Sequence, residues 1–410
     1  MNGSSAKAST TVTPTINKAA RGSVRFRRIK NSIFLSGLSV FAQLYLFQPV
    51  LPLLCKEFGV TPAHSSWAVS ASTMGMAAGL FIFSFKADAI PRKHLMGFAM
   101  LASAVLTLLS VFIHQFELLI AVNFVKGALL SGVTAVALAY LSEEVDGASL
   151  GLAISLYLSG NAIGGMAGRI VVMLIAGWAD WRWAAAFIGT SSLILGLFFI
   201  KRLPASKHFV ALPVNVGQKW QQMSSFFRQP VMVLIYFAAS LLMGCFVSVY
   251  NYTGFRLESP PFSLPHYVIA GIFLMYTIGV LGTMFAGRVS DRIPPAKLIR
   301  AFIPVMAAGL LLMLIPQLPG IAAGLGIFTF SFFATHTLAS RLISQEAREG
   351  KSTATSLYWL FYYAGSSFIG TGTGVILTGW GWPLFIAALL GLVLAGGILV
   401  FRAGKPSRVV

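Results

Sequence analysis

Three ionisable side chains interrupt the long apolar runs of this chain: Lys126, Arg169 and His336. The 11 Asp and Glu residues fall in the gaps between runs or at their ends. Ionisable groups inside hydrocarbon are costly and default to functional roles. A lysine withdrawn from water can exchange its proton. A histidine, with an unperturbed pKa of about 6.5, can do so near physiological pH. Lys126 and His336 are therefore the candidates for proton coupling where an embedded carboxylate is missing. The permanent cation Arg169 suits an anionic or zwitterionic group. Plainer readings stand beside these. Arg169, near the outer end of its run, can snorkel to a membrane surface, and a lone embedded histidine can be a hydrogen-bonded packing residue. Lys126 lies about nine residues, roughly 13 Å at the helical rise, from the end of its run. A lysine stem bridges that only in part, which favours a water-filled cavity.

The elements that must position these groups are membrane helices. Of 410 residues, 57% are hydrophobic and 10% charged, where a soluble chain carries about 25% charged residues. Apolar runs of about 20 residues, enough to cross about 30 Å of hydrocarbon, recur along the chain. The expected spans are 31–55, 66–87, 95–114, 117–141, 150–176, 183–201, 230–253, 266–287, 297–316, 319–341, 354–378 and 383–401. Twelve spans put both termini on one side. The net charge of +19 sits mostly in short gaps on the side of the termini; the opposite side carries Lys56, Arg182 and Arg256. That asymmetry predicts cytoplasmic termini and accounts for the charge without a nucleic acid.

Residues 1–28 are expected to be a disordered basic tail, 29–201 and 230–402 two six-helix bundles, 202–229 a cytoplasmic linker and 403–410 a second tail. Within the linker, KWQQMSSFF is expected to lie along the membrane interface. The halves repeat: Asp88 matches Asp291, and Tyr157-x-x-Gly160-Asn161 matches Tyr362-x-x-Gly365-Ser366. Such repeats place a substrate near the midplane between halves. Gly160, Gly164 and Gly168 share one helix face, a seam for close packing of another helix. Polar and aromatic residues at mid-span are cavity candidates, since ligand sites combine apolar walls with a few polar groups. They are Gln43, Gln48, Asn123, Tyr157, Asn161, Tyr250, Asn251, Tyr276, Tyr358, Tyr362 and Tyr363, with Lys126, Arg169 and His336. At the termini side, Asp88 and Asp291 are expected to form gating contacts with Arg92, Arg292, Glu143, Glu144 and Glu346. No Walker loop, metal cluster or nucleophile constellation is present, so an enzyme is not expected.

The loop GRVSDRIPPAK, 287–297, resembles the Gly-x-x-x-Asp-Arg-x-Gly-Arg-Lys loop of the major facilitator superfamily, and SFKADAIPRKH, 84–94, keeps its Asp88, Arg92 and Lys93. SGNAIGGMAGR, 159–169, resembles the family's fifth-helix antiporter motif Gly-Pro-x-x-Gly-Gly, with Asn161 in the proline position. With FQPVLP at 47–52, LSEE at 141–144 and YYAGSS at 362–367, the chain looks most like the YnfM-type branch of bacterial drug- and sugar-efflux transporters. NFVKG, 123–127, departs from the fourth-helix Arg-x-x-Gln-Gly, with Asn123 in the arginine position and Lys126 in the glutamine position.

The resemblance implies an all-α membrane protein of twelve helices in two pseudo-symmetric halves. It further implies alternating access, a bacterial inner membrane, export of small organic molecules in exchange for protons, no cofactor, and a functional monomer. The alternatives are uptake or facilitated diffusion through the same fold, and a non-transporting membrane sensor or assembly partner.

Overall fold

A computed structural model of the chain describes residues 18–86, 89–209, 216–347 and 349–403; Asp88 lies outside them. Ten apolar helical spans run in order: one, Val24–Phe58; two, Pro62–Lys86; three, Arg92–Phe112; four, Phe116–Glu144; five, Gly147–Trp178; six, Trp181–Arg202; seven, Pro230–Glu258; eight, His266–Val289; nine, Pro295–Leu312; ten, Leu318–Glu346. The last helix, Lys351–Ala403, has 53 residues. At 1.5 Å per residue that is about 80 Å, more than twice the hydrocarbon thickness of about 30 Å. It breaks at Gly381, whose φ of 76° is left-handed and costs glycine little. Residues 351–380 and 382–403 are thus spans eleven and twelve.

Local sequence starts and stops these spans. The Ser23 hydroxyl accepts from the Phe26 N–H at 3.1 Å and caps span one; Asp146 accepts from the Ser149 N–H at 2.7 Å and caps span five. Pro49 has no N–H, and span one is interrupted there. The chain turns through residues 45–47, passes through a 3-10 turn at Gln48–Val50, and resumes as Leu51–Phe58. Order begins before span one, inside the expected tail. Ala19 is buried and bridges to Val145, and the Lys18 ammonium donates to the Ser142 carbonyl at 2.7 Å. Residues 18–28 therefore belong to the folded body, because the connection between spans four and five offers their backbone a partner. The linker helix, Val216–Phe227, buries Met223 and Phe226 in the second-half core. Gln222 also accepts from the Thr353 hydroxyl at 2.6 Å. It packs on protein through this face because span eleven supplies both apolar surface and a polar partner.

Each half has its own apolar core. Span one packs on five and two on four, while seven packs on eleven and eight on ten; the halves meet where two faces eleven and five faces eight. The repeat extends to single contacts. Gly160 abuts the Phe34 carbonyl of span one, and Gly365 abuts the Ser240 carbonyl of span seven. At Gly164 a methyl group would come within 2.7 Å of the Leu38 carbonyl carbon. Neither backbone can yield without separating two spans. Gly164→Ala is therefore expected to destabilise the protein by about 1–3 kcal/mol, read as a lower melting temperature and a smaller monodisperse yield in detergent. An unchanged melting temperature would show that spans one and five do not pack this closely.

Candidate functional site

Arg169 is 2% exposed, so it does not reach a membrane surface. Its Nη1 donates to the Gly165 carbonyl at 2.6 Å, one turn back in span five. Gly165 leaves room for this, since a methyl group there would stand 3.1 Å from Nη1. Its Nε donates to Gln48 Oε1 at 2.6 Å, and its guanidinium lies 4.1 Å from the Tyr45 ring centroid and 4.7 Å from that of Tyr276. Phe273 adds a more distant face at 5.9 Å. Cation–π contacts of a desolvated guanidinium are worth about 2 kcal/mol each. The other end of the Gln48 amide donates to Asn251 Oδ1 of span seven at 2.7 Å. One amide thus holds the cation of one half and a polar group of the other.

Lys126 is equally buried. Its ammonium donates to Asn123 Oδ1 at 2.6 Å and lies 5.0 Å from the Phe47 ring centroid. Neither Lys126 nor Arg169 is in an ion pair among the described residues. Both rest on the interrupted segment of span one, Lys126 on Phe47 and Arg169 on Tyr45 and Gln48. Tyr45 and Gln48 of this segment thus meet span five, while Phe47 meets span four.

His336 sits apart in the second half. Its Nδ1 is 2.8 Å from the Tyr358 hydroxyl; its ring stacks on Phe332 and lies 4.7 Å from the Tyr362 ring. These side chains border a small cavity of about 10 Å³, near the minimum for one water. Successive ring contacts, Tyr276 to Phe333, Phe333 to Phe332 and Phe332 to His336, join this pocket to the Arg169 site.

The remaining candidates divide. Gln43 accepts from the Thr107 hydroxyl at 2.9 Å inside the first half. Tyr157 and Tyr363 are buried against the first-half core, and Asn161 packs on Gly37 of span one. Tyr250 shares a hydrogen bond with Thr329 at 2.8 Å and stands 4.9 Å from the Tyr276 ring. Sequence reasoning missed Tyr45, Phe47 and Trp359; Trp359 lies 5.2 Å from the His336 ring. Phe47 opens the FQPVLP motif and Tyr45 stands two residues before it, the one signal that pointed to them.

Direct polar contacts between halves concentrate at the end opposite the termini. Besides Gln48 and Asn251, Thr73 meets Ser367 at 2.8 Å, Thr371 donates to Ser70 at 2.7 Å, and Lys56 lies 4.0 Å from Glu258. At the termini end the expected gating groups pair differently. Arg92 joins Glu143 at 3.0 Å, within the first half. Asp291 joins Arg341 at 2.8 Å, within the second half; Arg341 was not anticipated. Glu144, fully buried, takes the Arg25 guanidinium and the backbone N–H groups of Lys207 and His208. It therefore clamps the start of the linker, not a loop of the other half, because residues 205–208 fold back over span four. Arg292 and Glu346 are exposed and in no ion pair among the described residues.

A family model described as Major Facilitator Superfamily matches residues 33–371. The chain belongs to the major facilitator superfamily. It is 36% identical to the MFS-type transporter YybF of Bacillus subtilis (strain 168), over 88% of this chain and 90% of that protein. It is 37% identical to the inner membrane transport protein YnfM of Escherichia coli (strain K12), over 93% and 92%. Among solved structures a D-xylose-proton symporter superposes with a TM-score of 0.76 at 14% identity, covering 93% of this chain and 98% of that one. The molecule is thus a multi-pass secondary transporter of the superfamily, working by alternating access, a cycle that must break the polar contacts between halves described above.

Replacing Gln48 tests what holds this closure. Gln48→Leu leaves Arg169 Nε and Asn251 Oδ1 without their partner, a loss of about 1–3 kcal/mol from the closed arrangement. Cys55 is half-buried on the short helix that follows Gln48, and Cys245 is buried. Faster maleimide labelling of Cys55 is expected in the variant. An unchanged rate would remove Gln48 from the closure.

Proposed function

We propose that the chain exports small amphipathic organic molecules across a bacterial inner membrane in exchange for protons, with both termini cytoplasmic. The observation that carries this reading is the shared role of Gln48. In the closed arrangement it supplies the amide acceptor to Arg169 and bonds the opposite half. A substrate carboxylate or similar anion is a stronger partner for Arg169, since charge-assisted hydrogen bonds are about twice as strong as neutral ones. An anion that takes Arg169 releases Gln48, which loosens the link to Asn251 and favours opening at that end. The aromatic faces between Arg169 and His336 suit the apolar body of the same molecule. The fifth-span resemblance to an antiporter motif supports export, and the inner-membrane relative YnfM supports the location.

The charge on the substrate decides the sign of proton coupling. A zwitterion that places its cationic group near Lys126 repels the proton there, so substrate and proton alternate, which is antiport. A purely anionic substrate favours a protonated Lys126, so both bind together, which is symport and uptake. This second reading rests on the same two unpaired cations. His336, held by Tyr358, is the next coupling candidate.

Proteoliposomes containing a pH-sensitive dye separate these outcomes. For a screened substrate moving inward down its gradient, antiport raises the internal pH and symport lowers it. The antiport outcome is expected, with the proton signal lost in Lys126→Gln while substrate binding persists. A substrate that crosses with no proton movement would overturn the coupling. Arg169→Ala is expected to weaken binding of acidic substrates by about tenfold or more while sparing neutral analogues. Calorimetry on the purified variant checks this, and an equal loss for both classes would make Arg169 structural.

A further inference from the structure

A groove of about 260 Å³ opens between spans one and six at their termini ends, away from the central site. Val24, Arg27, Arg28 and Asn31 line it from span one, at the spacing of one helix face. Phe198 and Arg202 face them from span six, one turn apart, with the Arg202 guanidinium 5.5 Å from the Phe198 ring centroid. Three permanent cations therefore surround the groove, and no acid lines it among the described residues. Glu144, the buried acid at this end, is taken by Arg25 and by residues 207–208. At the base of the groove lies Ser32, 0% exposed, whose hydroxyl has no hydrogen-bond partner among the described residues. A buried hydroxyl without a partner is costly, and this one adjoins the cationic space.

We propose that this groove binds the headgroup phosphate of an anionic phospholipid, held by Arg27, Arg28 and Arg202 with the Ser32 hydroxyl as a further donor. Its position selects a lipid over a dissolved anion. Val24 is the first residue of span one and Arg202 the last of span six, so the cations lie at the level where headgroups lie. The face of span six continues from the groove as exposed apolar side chains, Phe198, Leu197 and Ile194, on which an acyl chain can lie. Basic pockets between spans at a membrane surface take anionic headgroups in this way. Bound there, the lipid clamps spans one and six at the end where span one begins, so it steadies the helix that carries the Tyr45–Gln48 segment.

Native mass spectrometry of the purified full chain, with phosphatidylglycerol or phosphatidylcholine added, tests the proposal. Phosphatidylglycerol is expected to remain bound preferentially. Retention is expected to fall about fivefold for each arginine changed to glutamine at 27, 28 or 202. Should the triple variant not fold, Ser32→Ala keeps every charge and is expected to lower retention by itself. Equal retention of the two lipids, or unchanged phosphatidylglycerol retention in folded Arg27→Gln/Arg28→Gln/Arg202→Gln or in Ser32→Ala, would overturn the site. Displacement of the lipid by inorganic phosphate at equal concentration would assign the groove to a soluble anion and overturn the lipid reading.

Discussion

A guanidinium in the interior of a membrane protein, with no carboxylate paired to it among the described residues, sets the terms for the rest of this structure. Leaving such a charge unsatisfied costs several kcal/mol, so Arg169 needs neutral partners. Three features supply them. The missing side chain at Gly165 lets Nη1 reach its own helix carbonyl. The interruption of span one before Pro49 presents Gln48 and Tyr45. Span eight brings Tyr276 and Phe273 from the other half. The cation is thereby made dependent on contact between the halves, and the halves on the cation.

The two ends of the molecule use different interactions for different tasks. At the end opposite the termini, amides and hydroxyls join the halves. Such bonds between membrane helices average about 0.6 kcal/mol each, weak enough to break together in a transport cycle. At the termini end, the charged pairs that the structure describes lie within a half or tie the linker to one. The charges at the termini end are thus satisfied inside one half, and the ion pair described between halves, Lys56 with Glu258, has a largely exposed lysine. That division avoids separating a buried ion pair at each turnover, which would cost several kcal/mol.

Much of this was legible in the residues alone. Runs of apolar side chains and the placement of Lys and Arg are local properties, dictated by the bilayer, and they specified membrane helices in two repeated halves. The glycine spacing in span five marked a seam, since any helix that packs so closely needs a side-chain-free face. The type of residue at 126, 169 and 336 marked the chemistry, because hydrocarbon tolerates those side chains only where something compensates them.

Which residues compensate them was decided by the tertiary structure. Gln43 and Gln48 look alike in sequence, yet one bonds within the first half and the other links both halves. Five positions separate them, and even a regular helix turns one about 140° from the other, so each meets a different neighbour. Glu144 and Arg92 matched a gating pattern in sequence, but their partners depend on how residues 205–208 fold over span four and on where span three begins. Helix formation and membrane placement follow from near neighbours along the chain. The pairing of Arg169 with Gln48, 121 positions away, and of Gln48 with Asn251, 203 away, depends on the relative rotation of packed helices, which no local pattern encodes.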